Sequence, residues 1–501
     1  MPVIRARSIS AVISLAILAG CSARSETPPT DSAATRAAAP DDTAHIGRVL
    51  RGLRPPAEIE GKPAARWTLA ERMTEHKVPG VSIAVIQGGR IAWARGFGVK
   101  EAGKSDSVTP ATLFQAASIS KPVAATAMLR LVERGTLNLD TNVNRYLTSW
   151  KVPDNKFTTT EKVTLRRIVS HTAGLTVHGF PGYATSDPIP TVVQVLDGVK
   201  PANTGPVRVD TTPGAIERYS GGGTTIMQQL LVDVTAKPFP ALMQELVLGP
   251  AGMTSSTYEQ PIPAARAGEA AHAHAQDGKP IPGGWHVYPE MAPAGLWTTP
   301  TDLLKWAIAI TDARAGRSTT LLSQGMTQQM LTAQKGEIGL GPFVGGTGRN
   351  FHFGHGGANE GFHSELVMYP ELGVGAAVMT NGDGGPILIQ EVLRALAAEY
   401  GWPDYGAEHL PALTLDAKAV AGLVGTYLVA GVTVRVEQDS GRLMLRGQPL
   451  PEQELLPKSD TTFVMSSLGW QVRFTRDASG RATALSLNPG AGGALEGKRT
   501  K

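Results

Sequence analysis

The stretch Phe114-Gln-Ala-Ala-Ser-Ile-Ser-Lys-Pro122 places a serine, Ser118, three residues before a lysine, Lys121. Residues three apart share one face of a helix, so these two side chains can meet. A serine hydroxyl is a weak nucleophile at neutral pH and needs a base within hydrogen-bond reach. The spacing alone also fits an N-cap serine followed by a solvated lysine. Because residues 123–131 are apolar on most faces, we expect a buried helix here and predict a nucleophile and its base.

Two further motifs carry side chains that suit the same chemistry. Tyr219-Ser-Gly221 offers a tyrosine that acts as general base or acid when nearby cations lower its pKa. A buried tyrosine beside a flexible turn is the alternative. Gly354-His355-Gly-Gly-Ala358 offers a histidine that can donate to an anionic substrate group. A zinc site built from His352, His355 and His363 is disfavoured, because glycines surround His355 and no cysteine lies nearby.

Strand patterns at both ends of the central region predict one antiparallel sheet. Residues 81–86 and 90–98 predict a hairpin. Residues 362–369 and 374–380 predict a second hairpin, which a helix over 387–400 follows. Helical patches lie between the two hairpins. This arrangement favours an α/β fold in which the two chain ends close a single sheet flanked by helices.

The C-terminal part is expected to fold separately. Short alternating strands after residue 412 predict a small antiparallel β-barrel. Residues 21–64 are rich in Ala, Pro, Thr, Ser and Asp, which is typical of a flexible tether. The predicted organisation is a signal peptide over 1–20, the tether over 21–64, a hydrolase-like domain over 65–402, a linker over 403–412, the barrel over 413–495 and a disordered tail over 496–501.

The N-terminus predicts export. Arg5 and Arg7 precede a short apolar core over 9–19, which has the proportions of a signal peptide. The core ends in Leu18-Ala-Gly-Cys21, which resembles the lipobox of bacterial lipoproteins. Cys21 is the only cysteine, so an intramolecular disulfide is impossible. We expect cleavage before Cys21, lipidation of its thiol and a periplasmic lipoprotein anchored in the outer membrane; an ordinary secretory signal is the alternative.

The charge balance argues against a nucleic-acid partner. The formal net charge is +4, and loss of residues 1–20 removes two arginines and no acid, which leaves +2. The sequence has no basic aromatic patch and no C-x-x-C pattern. No cofactor and no metal are expected.

Taken in order, the three motifs resemble the signatures of the class C β-lactamase-related serine hydrolases. That family includes class C β-lactamases, D-Ala-D-Ala carboxypeptidases, D-aminopeptidases and family VIII esterases. Residues 163–175 and 294–303 resemble two flanking segments of the family. The resemblance covers about residues 65 to 402 and implies a β-lactamase/transpeptidase-like fold with a helical insert. The barrel resembles the lipocalin-like domain appended to many of these hydrolases.

The resemblance also implies roles for individual residues. Ser118 is the residue expected to be acylated. Lys121 and Tyr219 are expected to share the proton, with either a neutral lysine or an ionised tyrosine beside a cationic lysine. The backbone N–H groups of Ser118 and Ala358 are the expected oxyanion hole. The other residues placed at the site are His355 as a catalytic side chain and Gly221, Gly356 and Gly357 as substrate contacts. His171 is expected to have a structural role.

Two departures from the family bear on the substrate. Gly221 stands where many relatives carry an asparagine that contacts a substrate amide, and His355 stands where many carry lysine. Neither change stops acyl-enzyme chemistry on an ester. The sequence therefore predicts a serine acyl hydrolase for small esters, β-lactams or D-Ala-peptide-like compounds. A catalytically inactive relative that binds peptidoglycan fragments or a protein partner remains the alternative, and the oligomeric state is left open.

Overall fold

The structure is a computed structural model that describes residues 42–447, 450–488 and 494–500. Its helices, in chain order, are α1 (Asp42–Leu50), α2 (Leu69–Glu75), α3 (Ser120–Glu133), α4 (Leu165–Val169), α5 (Val192–Asp197), α6 (Gly221–Thr235), α7 (Phe239–Met243), α8 (Met291–Ala294), α9 (Pro300–Arg314), α10 (Gln324–Met330), α11 (Gly385–Tyr400) and α12 (Ala417–Leu423). A π-helical turn, Gln244–Leu248, continues α7.

The strands, in chain order, are β1 (Ala57–Ile59), β2 (Gly80–Gln87), β3 (Arg90–Gly98), β4 (Phe114–Gln115), β5 (Tyr183–Ala184), β6 (His286–Val287), β7 (Trp297–Thr298), β8 (Phe343–Gly345), β9 (His352–Asn359), β10 (Phe362–Tyr369), β11 (Val374–Thr380), β12 (Glu408–Leu410), β13 (Gly425–Val429), β14 (Val432–Asp439), β15 (Arg442–Gly447), β16 (Leu450–Pro457), β17 (Thr462–Met465), β18 (Gln471–Arg476), β19 (Ala482–Asn488) and β20 (Leu495–Arg499).

A six-stranded sheet in the order β3-β2-β11-β10-β9-β8 forms the centre of the hydrolase region. All of its strand pairs are antiparallel. The first hairpin, β2–β3, and the second, β10–β11, meet where β2 pairs with β11. The two ends of this region therefore close one sheet, and the predicted fold class is confirmed.

Both faces of the sheet are covered, which explains why β2 is buried along almost its whole length. Successive strand residues point to opposite faces. Ile83 and Val85 belong to the core shared with α1 and α11, whereas Ala84 and Ile86 belong to the core shared with α3. The larger core also takes in the helices and loops inserted between the two hairpins.

Helix α3 runs through the middle of the larger core. Eleven of its fourteen residues are buried, including Lys121 and Pro122 near its start. Pro122 is tolerated there because the first helical N–H groups have no intrahelical partner. The buried helix predicted after Ser118 is therefore present, and it carries a lysine into the apolar interior.

The C-terminal strands β13 to β20 form a closed antiparallel barrel around an apolar core. Strand β20 closes it by pairing with β13 and β19. The predicted disordered tail over 496–501 is therefore wrong for residues 496–499. Pairing uses backbone groups that the polar composition of the segment does not reveal, and Arg499 donates to the carbonyls of Gly422 and Ala482.

The expected tether is ordered from residue 42 onward. In and just after α1, Ile46, Val49 and Leu53 are buried in the core that also contains α11. Strand β1 pairs in parallel with β12, which lies within the segment predicted as a linker. Apolar residues spaced along a short helix thus anchor part of a segment whose overall composition suggested flexibility.

The predicted signal peptide, Cys21 and residues 21–41 of the tether lie outside the described residues. Among the helices that are described, none combines the length and apolar character needed to cross a membrane.

Candidate active site

A tight turn presents Ser118. Residues Ala117–Ile119 form a 3-10 turn that leads directly into α3. Ala117 adopts a positive φ of 49°, a conformation that costs a non-glycine residue energy and persists where its surroundings enforce it. The preceding carbonyl, that of Ala116, accepts hydrogen bonds from Ile119 N and from Ser364 Oγ. The serine is thus held by the backbone on both sides.

Lys121 reaches Ser118 inside the protein. Its Nζ donates to Ser118 Oγ at 2.8 Å and to the Pro293 carbonyl at 3.0 Å. The residue is 5 % exposed. Burial penalises the charged ammonium and lowers the pKa of Lys121 to about 7. A substantial neutral fraction is therefore available at neutral pH, and a neutral amine can accept the serine proton.

Tyr219 lies beside the pair, just before the start of α6. Ser220 is the N-cap of that helix and accepts a hydrogen bond from Gly223 N, which fixes the backbone next to the tyrosine. Lys121 Nζ lies 4.8 Å from the centroid of the Tyr219 ring. Burial raises the pKa of Tyr219, and its interaction with Ser118 opposes this only in part. The phenol therefore stays protonated in the unliganded site.

His355 lies on β9. Its side chain is on the same face of the sheet as Leu366, and Leu366 belongs to the core that contains α3. Its ring centroid is 6.1 Å from that of Tyr219 and 4.9 Å from that of Phe343. Burial and the charge of Lys121 lower the pKa of His355 to about 3. The imidazole is neutral at physiological pH, so the expected contact with an anionic substrate group does not come from a cationic histidine.

The next residues of β9 meet the Ser118 turn. A side chain at Gly357 would place its Cβ 2.2 Å from the Ala116 carbonyl oxygen, so only glycine fits there. Gly356 faces the other way, because a Cβ there would meet the Glu365 carboxylate at 2.9 Å. Gly356 therefore does not face the Ser118 turn as Gly357 does. Its carbonyl oxygen contacts the His355 ring.

The hairpin register orients the N–H of Ala358. Asn359 pairs with Phe362 across the two-residue turn at 360–361. The pair that flanks such a turn is hydrogen-bonded and the pairs alternate, so the pair Ala358–His363 is not. The Ala358 N–H then points away from β10, towards an edge that β8 covers only as far as Gly354. This orientation suits the role predicted for Ala358 in an oxyanion hole.

Gly221 is enclosed by its neighbours. A Cβ at this position would lie 2.9 Å from Cε2 of Phe180 and 3.1 Å from the His178 carbonyl oxygen. The Gly221 N–H already donates to that carbonyl. The space that an asparagine would need at this position is occupied by Phe180, a residue to which no motif in the sequence points.

Three further side chains hold the site together. His171 packs on Tyr219 with ring centroids 4.2 Å apart, and its Nδ1 accepts from Ser220 N. Asn359 Nδ2 donates to Gln115 Oε1 and to the Ala294 carbonyl. Ser364 Oγ donates to the Ala116 carbonyl. His171 was expected to be structural, and Asn359 follows the His355 motif directly. Ser364, which pairs with Gly357 in the sheet, was not anticipated from the sequence.

His274, His352 and His363 form contacts of their own, with residues outside the Ser118 site. His352 lies 3.5 Å from Asp404, and His363 lies 3.3 Å from Asp383. His274 is fully buried, accepts from Ala102 N and contacts the Asn381 carbonyl. Within the described part of the chain, no group of three or more His, Cys, Asp or Glu residues is arranged to hold a metal ion.

With this geometry in view, comparison with known proteins identifies the family. Residues 66–399 match the family described as Beta-lactamase. The chain belongs to the beta-lactamase family. It is 28 % identical over 374 residues to penicillin-binding protein 4 of Amycolatopsis lactamdurans, a match that covers 71 % of this chain and 94 % of that protein. It is 24 % identical to protein flp of Staphylococcus aureus strain MW2 and covers 60 % of its length.

Solved structures share the fold. The octameric penicillin-binding protein homologue from Pyrococcus abyssi superposes with a TM-score of 0.58 at 20 % identity, over 86 % of this chain and 98 % of that one. D-alanine carboxypeptidase AmpC from Burkholderia cenocepacia gives a TM-score of 0.51 at 20 % identity, over 66 % and 96 %. The predicted resemblance to penicillin-binding and class C β-lactamase-like proteins is confirmed at the level of family and fold.

Proposed function

We propose that this protein is a serine acyl hydrolase that acts through a covalent acyl-Ser118 intermediate. The observation that carries the proposal is the 2.8 Å contact between Lys121 Nζ and Ser118 Oγ. Lys121 is buried, and both hydrogen bonds described for its Nζ go to neutral oxygens. A lysine in such a position is costly to keep charged, which favours its use as a base.

In the first step, neutral Lys121 takes the proton of Ser118 Oγ while that oxygen attacks the substrate carbonyl carbon. The negative charge that develops on the carbonyl oxygen is stabilised by the N–H groups of Ser118 and Ala358, a contribution often worth about 10²–10³ in rate per donor. The bond to the leaving group then breaks. Its alkoxide or amine takes up a proton, and the acyl group remains on Ser118.

We propose that Lys121 is the source of the proton that the leaving group takes up, and that Tyr219 relays it. The raised pKa of Tyr219 argues against a resting phenolate and therefore against the mechanism that begins with an ionised tyrosine. A protonated phenol next to the lysine can donate to the leaving group and be reprotonated by Lys121. Water then attacks the acyl carbon and gives a proton to the neutral Lys121. Lys121 returns this proton to Ser118 Oγ as the bond between the acyl carbon and that oxygen breaks, which frees Ser118 and the product acid.

Labelling with a fluorophosphonate tests this function directly, because the reagent phosphonylates an activated serine. Mass spectrometry of the labelled protein should place the adduct on Ser118. Ser118→Ala should abolish labelling, whereas Ser120→Ala should keep it, since Ser120 Oγ serves as an acceptor for Leu296 N and lies outside the reacting set. Folded wild-type protein that takes no label would contradict the proposal and favour an inactive binding protein.

We propose small esters as the preferred substrates over amides and β-lactams. An alkoxide leaves more easily than an amine. Residue 221 lacks the asparagine side chain that would contact a substrate amide, and a side chain there would meet Phe180. One such hydrogen bond is worth about 0.5–1.5 kcal/mol, or roughly tenfold in rate. Short-chain p-nitrophenyl esters, nitrocefin and D-Ala-D-Ala peptides assayed on one sample should give this order; a higher kcat/KM for nitrocefin than for every ester would reverse it.

We further propose export and lipid anchoring through Cys21, on the strength of the sequence over residues 1–21. The protein should then partition with membranes and carry lipid on its N-terminal cysteine. Cys21→Ser should release soluble protein or leave uncleaved precursor. A wild-type protein found wholly in the soluble fraction with an unmodified mature N-terminus would contradict this proposal.

A further inference from the structure

The imidazole of His355 has one nitrogen in use and one without a partner. Nδ1 lies 2.6 Å from the Gly356 carbonyl oxygen. Nε2 is buried and has no hydrogen-bond partner. A buried polar atom left unpaired costs about 1–3 kcal/mol. Such atoms are uncommon in folded proteins and call for an explanation, which a ligand can supply.

The tautomer of His355 follows from the first contact. A carbonyl oxygen can only accept, so Nδ1 must carry the proton. In a neutral imidazole the other nitrogen then holds a lone pair, and Nε2 is an acceptor. Lysine in the same place would be a cationic donor. His355 therefore reverses the polarity of this position instead of imitating lysine.

The surroundings keep the ring neutral. Lys121 on α3 is the nearby charge that acts on His355, and it opposes protonation. Tyr219 stays protonated, and the pKa of His171 lies well below its ordinary value because of burial. Glu365 pairs with Gly356 on the adjacent strand and lies on the opposite face of the sheet. None of these described groups supplies the negative charge that a histidinium ion would need.

We propose that His355 Nε2 accepts a hydrogen bond from a hydroxyl or N–H group of the substrate, and that this position selects uncharged groups over carboxylates. The inference rests on the proposed serine acyl hydrolase function and narrows its substrate class. The half-buried Phe343 ring packs against the imidazole, with centroids 4.9 Å apart, and the proposal requires this ring to move aside so that a ligand atom reaches Nε2. A carboxylate there faces the lone pair of Nε2 in place of a cationic side chain.

Two series of esters test the selection. One consists of 3-methylphenyl, 3-hydroxymethylphenyl and 3-carboxyphenyl acetate, and the other of p-nitrophenyl phenylacetates with the same three meta groups. The group thus lies on either side of the scissile bond. Each kcat/KM value is first corrected for the rate of alkaline hydrolysis of that ester. In one of the two series, wild type should then have its highest kcat/KM for the hydroxymethyl ester. The kcat/KM for the carboxylate ester of that series should be about tenfold or more lower.

Two lysine variants sharpen the result. His355→Lys should raise the ratio of carboxylate to hydroxymethyl turnover about tenfold or more, because it exchanges an acceptor for a cationic donor. His352→Lys is the matched control, since it adds the same charge to β9 at a position that contacts Asp404, and it should leave the ratio unchanged. Wild-type ¹⁵N chemical shifts of His355 should show Nδ1 protonated and Nε2 unprotonated from about pH 5 to pH 8.

The outcomes separate this inference from the function on which it rests. Absence of fluorophosphonate labelling would remove the proposed function itself. Labelled wild-type enzyme that prefers the carboxylate esters would overturn the selection while leaving the hydrolase intact. A protonated Nε2 in the NMR spectrum would overturn it too, even where His355→Lys fails to fold.

Discussion

The two walls of the site differ in whether their polar groups already have hydrogen-bond partners. The helix wall, residues 116–121, holds its reactive atoms through hydrogen bonds that are already made, from Lys121 to Ser118 and from Ser364 to the Ala116 carbonyl. The strand wall, residues 354–358, presents an unpaired imidazole nitrogen and an N–H group turned to an open edge. The reacting groups are held in place on the helix wall, whereas the polar groups left to bind a ligand lie on the strand wall. Variants on the two walls should therefore fail in different ways.

The largest expected effect lies on the helix wall. Ser118→Ala should lower kcat for every substrate by about 10⁴-fold or more, because no other group takes up the acyl chain. The side chain is half-buried and small, so circular dichroism and the thermal midpoint should stay close to wild type. Turnover of p-nitrophenyl esters is the measurement. Substantial residual turnover that a fluorophosphonate still blocks would place the nucleophile elsewhere.

Lys121→Met should lower activity almost as much, because residues that act as a unit show non-additive losses. In wild type, kcat/KM should rise with pH through about 7, the pKa to which burial lowers Lys121. The reason is that only the neutral amine accepts the Ser118 proton. A pH–rate profile from about pH 5 to pH 9 checks the prediction; a profile flat across this range would exclude Lys121 as the base.

Lys121→Met should raise the stability of the fold although it lowers activity. The folded-state pKa of Lys121 is about 7, below its ordinary value of 10.5. Between these two values the unfolded chain binds more protons, so the free energy of unfolding of wild type rises with pH. Lys121→Met lacks this dependence and should be more stable than wild type near pH 7, with the difference narrowing towards about pH 10. Urea denaturation at several pH values measures it.

The contrast between the walls also marks what the sequence could predict. The hairpins 81–98 and 362–380 could be predicted because runs rich in apolar residues flank short turns, and the Ser118 helix could be predicted from its apolar run. Strand β20 and helix α1 were not, because their stability comes from pairing and packing with segments distant in sequence. Local composition therefore suggested a disordered tail and tether.

At the site, residue types were predictable and electrostatic states were not. The motif around His355 suggested a donor to an anion, whereas burial and the Gly356 carbonyl make its free nitrogen an acceptor. Likewise Gly221 was expected to contact the substrate, and in the structure Phe180 and the His178 carbonyl enclose it. Both corrections depend on neighbours brought together by the fold, which spacing along the chain does not reveal.

An intermediate effect is expected at Gly221. Gly221→Asn should lower stability by about 1–3 kcal/mol, because its Cβ meets Phe180 and the His178 carbonyl. Ester turnover should fall as the displaced ring disturbs the start of α6. Gly179→Asn is the matched control, since a side chain there meets no atom within 4 Å. Thermal denaturation and ester assays compare the two; a Gly221→Asn protein as stable as Gly179→Asn would show that Phe180 yields freely.

The smallest effect is expected where the two walls touch. Ser364→Ala removes one of the two hydrogen bonds described for the Ala116 carbonyl and leaves that from Ile119 N. The unfolding free energy should fall by about 1 kcal/mol. Because Gly357 rests against the same carbonyl, the loss should loosen the strand wall and lower kcat/KM severalfold, with labelling of Ser118 by fluorophosphonate retained. A stability loss of this size with unchanged kcat/KM would show that the helix wall holds its geometry without support from the strand.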